Sequence, residues 1–381
     1  MTRSRIHVMA AVIRRNGHIL IARRPATAHQ GGLWEFPGGK LEPGEDRYAG
    51  LRRELQEELG INITSARPLI DIQHDYPDKS VRLDVWLVEA FDGESHGAEG
   101  QPIRWVTPAE LDQYQFPPAN VPIVSAARLP ERYLVTPDCS TTGELASGLG
   151  RVREQGIAMV QLRQTGLKQS EYAQLAGEMM DRFGDDFTWL LKASTPPATG
   201  DGWHLTALQL RDLHRAGWRK GEPFPAGPPV LPGSVRAPDL KPRPTSRWEQ
   251  PPGREDAAGP PVPPGSVRAS NLEHRSTSGW ERPPGREELQ PWHGLLAASC
   301  HDEQELEMAA GIGADFVTLS PVLPTRSHPG ARPLGWQEAA RLIALTNLPV
   351  YLLGGLSTQH LDQAFQAGAQ GIAGISGLWP D

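Results

Sequence analysis

From Arg132 onward, eight short apolar runs follow one another: "RYLVT", "AMVQLR", "TWLLKA", "GWHL", "GLLAAS", "FVTLSPVL", "PVYLLGG" and "GIAGIS". Helix-like segments separate most of them, among them "SEYAQLAGEMMDRF", "LQLRDLHRAG", "DEQELEMAAGI" and "GWQEAARLIAL". A strand followed by a helix, eight times over, predicts a (β/α)8 barrel. The 381 residues leave room for a second core ahead of it. Residues 1 to 128 carry that core, mixing strands with two helical patterns. The class is therefore α/β throughout, with the barrel over residues 129 to 381.

One stretch breaks the rhythm. Ala226–Ala257 and Ala258–Leu289 form a direct repeat of 32 residues that differs at ten positions. Its proline density excludes helix and central strand, and two copies are too few for a solenoid. Residues 221–292 read as a disordered insertion left by a duplication. A segment docking Trp248 and Trp280 on a partner is the alternative. The insertion falls between the fourth helix and the fifth strand, on the barrel end remote from the site-bearing face.

A net charge of -7 gives no reason to expect a nucleic-acid polymer as partner. Cys139 and Cys300 show no metal-ligand spacing and read as free thiols in a reducing cytoplasm. The apolar start of the chain is cut by Arg14, Arg15 and Asn16. It fits two strands around an Asn16-Gly17 turn better than a leader, and no segment reads as a membrane span.

The chemistry concentrates in "GGKLEPGEDRYAGLRRELQEELGI", Gly38 to Ile61. Leu51 to Leu59 predicts a helix stopped by Gly60. Tyr48, Leu51, Leu55 and Leu59 share one stripe, which packs on a sheet. Glu54, Glu57 and Glu58 then sit at i, i+3 and i+4 on the adjoining face, where like charges repel. A hard divalent cation relieves that repulsion, because Mg²⁺ prefers carboxylate oxygens and bridges to substrate phosphates. A solvated acidic face is the plain alternative.

The order Gly39, five residues, Glu45, seven residues, Arg53-Glu54-Leu55, one residue, Glu57-Glu58, one residue, Gly60-Ile61 resembles the Nudix signature at every fixed position. The resemblance implies an α/β/α sandwich with a loop-helix-loop holding Mg²⁺, or Mn²⁺, against a nucleoside diphosphate linked to another group. Water then attacks a phosphorus of the bridge. Under it, Glu57 and Glu58 ligate metal, and Glu54 ligates metal or deprotonates the water. Arg53 pairs with Glu45 to fix the loop, and the Gly38 carbonyl reaches the metal.

Blocks outside the signature resemble the MutT-type 8-oxo-dGTP diphosphatases: "IARRPATAHQGGLWEFPGGK", "YPDKSVRLDVWLVE", "AEGQPIRW" and "FPPANVPI". Carried over, Arg24 and His29 contact the nucleotide, and Glu35, Phe36, Pro37 and Gly38 line it. Tyr76 stands near the base in place of a phenylalanine. Glu99 is a late metal ligand or base, and Asn120 reads the purine. Oxidation at C8 turns guanine N7 from acceptor into donor. An asparagine amide takes N7–H and gives to O6, while ordinary guanine would leave its carbonyl facing a lone pair. Such a buried mismatch costs about 1–3 kcal/mol, and a site built on hydrogen bonds rejects by ~10⁴ or more. Alternatively Asn120 only caps the helix that follows it. The partner so implied is a small nucleoside triphosphate, and the role is nucleotide-pool sanitation that prevents replication errors.

The barrel resembles thiamine phosphate synthase and its TenI relatives through "VQLR", "GWHL", "ASCH", "GADFVTLSPVLPT", "LGGL" and "GIAGIS". Departures accompany the matches. Thr165 and His328 stand where the synthase has lysines, Lys192-Ala193 replaces its Asn-Asp pair, and Gln209 replaces a metal-binding aspartate. Loss of those acids predicts no synthase activity. A phosphate cup remains in Gly355, Ile375 and Ser376, with Arg163, Ser299, His301 and Thr325 around it. It is fit for a thiamine-pathway phosphate or for a tautomerase-like role of His301. A Nudix enzyme cleaving thiamine diphosphate or a damaged analogue is the competing assignment.

Overall fold

Residue pattern becomes architecture most directly at the first hairpin. The computed structural model describes residues 5–224, 291–325 and 330–380. Strands β1 (Arg5–Arg15) and β2 (His18–Arg23) pair antiparallel around Asn16 and Gly17, both with left-handed φ of 51° and 75°. That is the two-residue turn Asn-Gly favours. After β3 (Trp34–Glu35) and helix α1 (Arg47–Leu59) come the long strands β4 (Asn62–Asp75) and β5 (Ser80–Asp92), then β6 (Ile103–Val106) and α2 (Val121–Arg128).

The sheet runs β3-β2-β1-β5-β4, with β6 on β2, and β1 lies parallel to β5. Alternation along β1 gives it two buried faces. Met9, Ala11 and Ile13 pack with Leu51, Leu55 and Leu59 of α1, and Tyr48 joins that cluster. Ala10 and Val12 pack with Ile123, Ala126 and Ala127 of α2. The sheet is thus sandwiched between two helices, as the Nudix resemblance implies.

The eight apolar runs are eight strands: β7 (Arg132–Val135), β8 (Met159–Leu162), β9 (Thr188–Leu191), β10 (Gly202–Leu205), β11 (Leu295–Cys300), β12 (Phe316–Leu319), β13 (Val350–Leu353) and β14 (Gly371–Gly374). They close, all parallel, in the order β10-β11-β12-β13-β14-β7-β8-β9. Outside lie α3 (Thr142–Glu154), α4 (Gln169–Phe183), α5 (Ala207–Arg215), α6 (Glu303–Gly311), α7 (Gly335–Ile343) and α8 (Leu361–Gln366).

The repeat, with Trp248 and Trp280, lies outside the described residues, as does His328. The margins assigned to the insertion are a correction: Phe224 and Trp292 both pack on Trp203 at 5.8 and 6.2 Å, and Gly221 N–H donates to Trp292 O at 3.1 Å. These aromatic residues cover buried Trp203, which a proline-weighted view of composition overlooks.

Sandwich and barrel belong to one unit. Leu129, just past α2, is buried with Met159, Leu190, Phe316 and Tyr351 inside the barrel. The Asn347 side chain takes both backbone groups of Gln73 on β4, at 2.9 and 2.8 Å.

Candidate functional site

Helix α1 carries the acidic run, and its ends explain where it sits. Asp46 caps the start, accepting from Tyr48 and Ala49 N–H at 3.0 and 3.1 Å. Gly60 ends it with φ 68°. With Leu51, Leu55 and Leu59 fixed on the sheet, Glu54 and Glu58 are held toward β1 and the Gly38-Gly39 loop. Glu54 is 14% exposed and Glu57 57%, so Glu54 belongs to the interior of the cleft and Glu57 to its rim.

Arg53 organises this cleft. Its Nε and Nη2 donate to the two carboxylate oxygens of Glu45, both at 2.9 Å. Nη1 reaches Glu54 at 2.8 Å and Glu57 at 3.3 Å, and Nη2 also reaches the Lys40 carbonyl at 3.1 Å. The Arg53 hydrogen bond holds the Glu45 carboxyl below its ordinary value. A planar five-donor group suits this forked task, and lysine could not replace it.

Two glycines let the loop come close. The Pro37 and Gly39 carbonyls accept from Ala11 and Met9 N–H, both at 2.8 Å, which pins the loop on β1. A Cβ on Gly38 would lie 2.1 Å from Met9 O, and one on Gly39 would lie 2.1 Å from Glu54 Oε2. Gly38 N–H donates to Glu58 Oε2 at 3.0 Å. Burial pushes the Glu58 carboxyl up to about 8; the Gly38 bond opposes this, while nearby Glu35, Glu99 and Glu54 add to it.

Glu99 is exposed on a loop docked against the end of α1. Gln101 makes that docking, giving Nε2 to Glu58 O at 2.9 Å and accepting from Glu99 N–H at 3.0 Å. Among the described residues no three acidic, histidine or cysteine side chains converge on one point. Glu54 and Glu57 are turned onto Arg53, and Glu58 onto Gly38. The donor set still fits a hard divalent ion: carboxylate oxygens lie together on one helix face, under a glycine that leaves space for one of them.

Beside this cleft is a cavity of about 240 Å³ lined by Arg24, His29, Glu35, Phe36, Gly38, Tyr76 and Asn120, with Lys40 and Lys79 at its wall. Arg24 pairs with Glu35 and gives Nε to His29 O at 2.9 Å. Burial raises the Glu35 carboxyl, against the pull of Arg24. His29 meets Tyr76 edge-on at 5.0 Å, and Phe36 stacks on Phe116 at 5.4 Å. Pro37 contributes its carbonyl to β1 and is not part of the lining. Asn120 is 9% exposed and makes no capping bond to α2; its Oδ1 faces Phe36 N–H at 3.5 Å. Lys40 and Lys79 at the cavity and Gln101 at the acidic cleft join the site beyond the residues the sequence points to. Lys40 lies inside the signature, between Gly39 and Glu45, and is the one with a visible signal.

In the barrel, His301, Thr325, Gly355, Ile375 and Ser376 line one cavity of about 1040 Å³ at the strand C-termini. Arg163 and Ser299 are not in that wall. Arg163 faces Asp138 at 3.4 Å, and Ser299 Oγ bonds His204 Nε2 at 3.0 Å. Burial lowers His204 to about 3, so its ring is neutral. Glu305, 1% exposed, accepts from His301 N–H and Nδ1 at 2.7 and 2.8 Å.

Residues 8–126 match the NUDIX domain family. A CTP pyrophosphohydrolase of Escherichia coli (strain K12) is 43% identical over 121 residues, 32% of this chain and 90% of its own length. An 8-oxo-dGTP diphosphatase of the same strain is 40% identical over 122 residues, 32% of this chain and 95% of its own.

This chain belongs to the Nudix hydrolase family.

Downstream of that Nudix domain, residues 285–378 match the thiamine monophosphate synthase family. A protein of Aquifex aeolicus (strain VF5), provisionally named thiamine-phosphate synthase 2, is 40% identical over 82 residues, 22% of this chain and 44% of its own. In this Nudix hydrolase Gln209 serves structure: it closes a capping box with Thr206 and gives Nε2 to Ala193 O at 2.6 Å. Thr165 N–H and Oγ1 both donate to Asp138, at 2.5 and 2.8 Å. Among the described residues no helix is long and apolar enough to cross a membrane.

Proposed function

We propose that the Nudix domain is a Mg²⁺-dependent pyrophosphohydrolase of oxidised purine nucleoside triphosphates, converting 8-oxo-dGTP and water to 8-oxo-dGMP and diphosphate. The observation that carries this is a buried asparagine amide, free of any capping duty, in a cavity beside the acidic cleft. The 40% identity to an 8-oxo-dGTP diphosphatase supports it. A cation bound by Glu54, Glu57, Glu58, Glu99 and the Gly38 carbonyl supplies charge neutralisation and a water of lowered pKa. The chain's residues do the rest. Arg24, Lys40 and Lys79 offer positive charge to the phosphates. Arg53 holds Glu54 and Glu45 so that Glu54 takes the proton of the attacking water. Phe36 and Tyr76 flank the base, and Asn120 reads its edge.

A second substrate has an observation in its favour. Cytosine presents a donor at N4 beside an acceptor at N3, the same order as N7–H and O6 of 8-oxoguanine. One amide pairs with either, whereas the N7/O6 edge of guanine offers two acceptors and leaves the amide oxygen facing a lone pair, and a CTP pyrophosphohydrolase is 43% identical. The barrel is a phosphate-binding or scaffolding module without synthase activity in this proposal, since Lys192, Ala193 and Gln209 offer no carboxylate to hold the metal of a metal-diphosphate.

Turnover of 8-oxo-dGTP, dGTP, CTP and thiamine diphosphate by the whole chain with Mg²⁺ tests this. The expected order puts 8-oxo-dGTP first and dGTP at least tenfold behind, with that gap lost in Asn120→Leu. Equal turnover of dGTP and 8-oxo-dGTP by the native chain would overturn the assignment of Asn120.

A further inference from the structure

Helix α2 has two ends with different surroundings. Its N-terminus follows Asn120 in the nucleotide cavity, and its C-terminus points at the barrel. The last carbonyls of a helix have no partner within it and must be satisfied from outside. Here Ala126 O accepts from Leu129 N–H at 3.4 Å, and the barrel adds a second donor. Gln370, the residue before β14, is 2% exposed and gives Nε2 to both Ala126 O and Leu129 O at 3.1 Å. Arg14 Nη2 takes the Ala127 carbonyl between them at 2.6 Å. The Gln370 amide has one tolerable orientation, because a flipped amide would set its oxygen against two carbonyls. Its Oε1 then has no partner among the described residues, so Gln370 bears an unsatisfied acceptor to make these two bonds.

Leu129 fixes the same end by burial, 4% exposed among the residues inside the barrel. Tyr351 OH bonds the Pro130 carbonyl next to it. Eight residues of helix span roughly 12 Å, so an axial shift or tilt at Leu129 is passed rigidly to Asn120. The two Escherichia coli relatives are matched over 90% and 95% of their own lengths, which leaves no room for a barrel in either.

We propose that Gln370, a barrel residue, is a positioning residue for base recognition in the Nudix domain. It caps α2 and sets where that helix presents Asn120. This rests on the assignment of Asn120 to the base under the proposed function.

The test compares the full-length native chain with Gln370→Met, which keeps volume and removes both hydrogen bonds, and with Val152→Ala, a buried barrel change on α3 that lowers stability without touching α2. Kinetics on 8-oxo-dGTP and dGTP are read beside amide hydrogen exchange over residues 121–128. In Gln370→Met, KM for 8-oxo-dGTP rises about three- to tenfold, corresponding to one lost capping interaction. The preference over dGTP narrows, kcat holds within about twofold, and α2 amides exchange faster. Val152→Ala changes melting temperature only. A Gln370→Met protein with lowered melting temperature but native KM, preference and α2 exchange would reduce Gln370 to a structural contact. Should the native chain show no base preference, the function assignment fails instead, and the exchange data alone still report whether Gln370 holds α2.

Discussion

Gly39 shows how much one hydrogen atom decides at this site. Its φ is ordinary, so alanine is tolerated by the backbone, yet the added carbon would fall 2.1 Å from Glu54 Oε2. Glu54 must then swing away from its place beside Arg53. Gly39→Ala should fold with a near-native melting temperature and lose about 10- to 100-fold in kcat/KM, the scale seen when a ligand's support is disturbed. Native activity in Gly39→Ala would remove Glu54 from the reaction. Glu58 yields a pH prediction. Its carboxyl rises from 4.5 to about 8 in the folded chain, chiefly by burial. The folded state therefore binds the proton more tightly than the unfolded one, and metal-free stability falls as pH climbs through that interval. Thermal melts of the chelated protein from pH 5 to 9 should show that decline, and Glu58→Gln should flatten it. An unchanged slope in Glu58→Gln would assign it elsewhere. The residues of the signature were legible because their spacing is fixed by chemistry. Gln101 was not, because its task depends on a loop folding back onto α1, which no local pattern encodes.

Helices and strands were legible where burial imposes a period. Leu51, Leu55 and Leu59 mark one face of α1, and the eight apolar runs each became a barrel strand. The apolar pattern puts the start of α1 at Leu51, four residues late, because Arg47, Ala49 and Gly50 carry little apolar signal and Tyr48 alone extends the stripe; Asp46 begins it by capping. Removing that cap isolates its value. Asp46→Ala leaves the Tyr48 and Ala49 N–H groups to water and should cost about 1 kcal/mol. Because α1 carries Glu54, Glu57 and Glu58, the same variant should weaken metal binding in titrations followed by melting temperature. A loss well below about 0.5 kcal/mol, the low end for losing such a cap, would show that the loop before α1 holds the helix without Asp46.

Sandwich and barrel meet through side chains whose sequence context is unremarkable. Leu129 reads as a helix-end apolar residue and Gln370 as a polar residue in a turn, and only closure of β14 beside β7 brings Gln370 to α2. The margins of the insertion, 221–292, reach too far for a similar reason: Phe224 and Trp292 gain meaning only once both pack on buried Trp203. Those margins make the final prediction. Gly221 N–H bonds Trp292 O, so the chain is already closed before residue 225 and after residue 290. Closing a shorter loop costs less chain entropy, by roughly 0.6 kcal/mol per halving of length. Replacing residues 226–289 by a short Gly/Ser linker should therefore leave the melting temperature at or above the native value. The described residues on either side of it join α5 to β11 in the barrel and none of them lines the nucleotide cavity, so nucleotide turnover should also be unchanged. Circular dichroism melts and initial rates on the shortened chain decide it. A fall in stability together with loss of turnover would mean that residues 226–289 complete the fold.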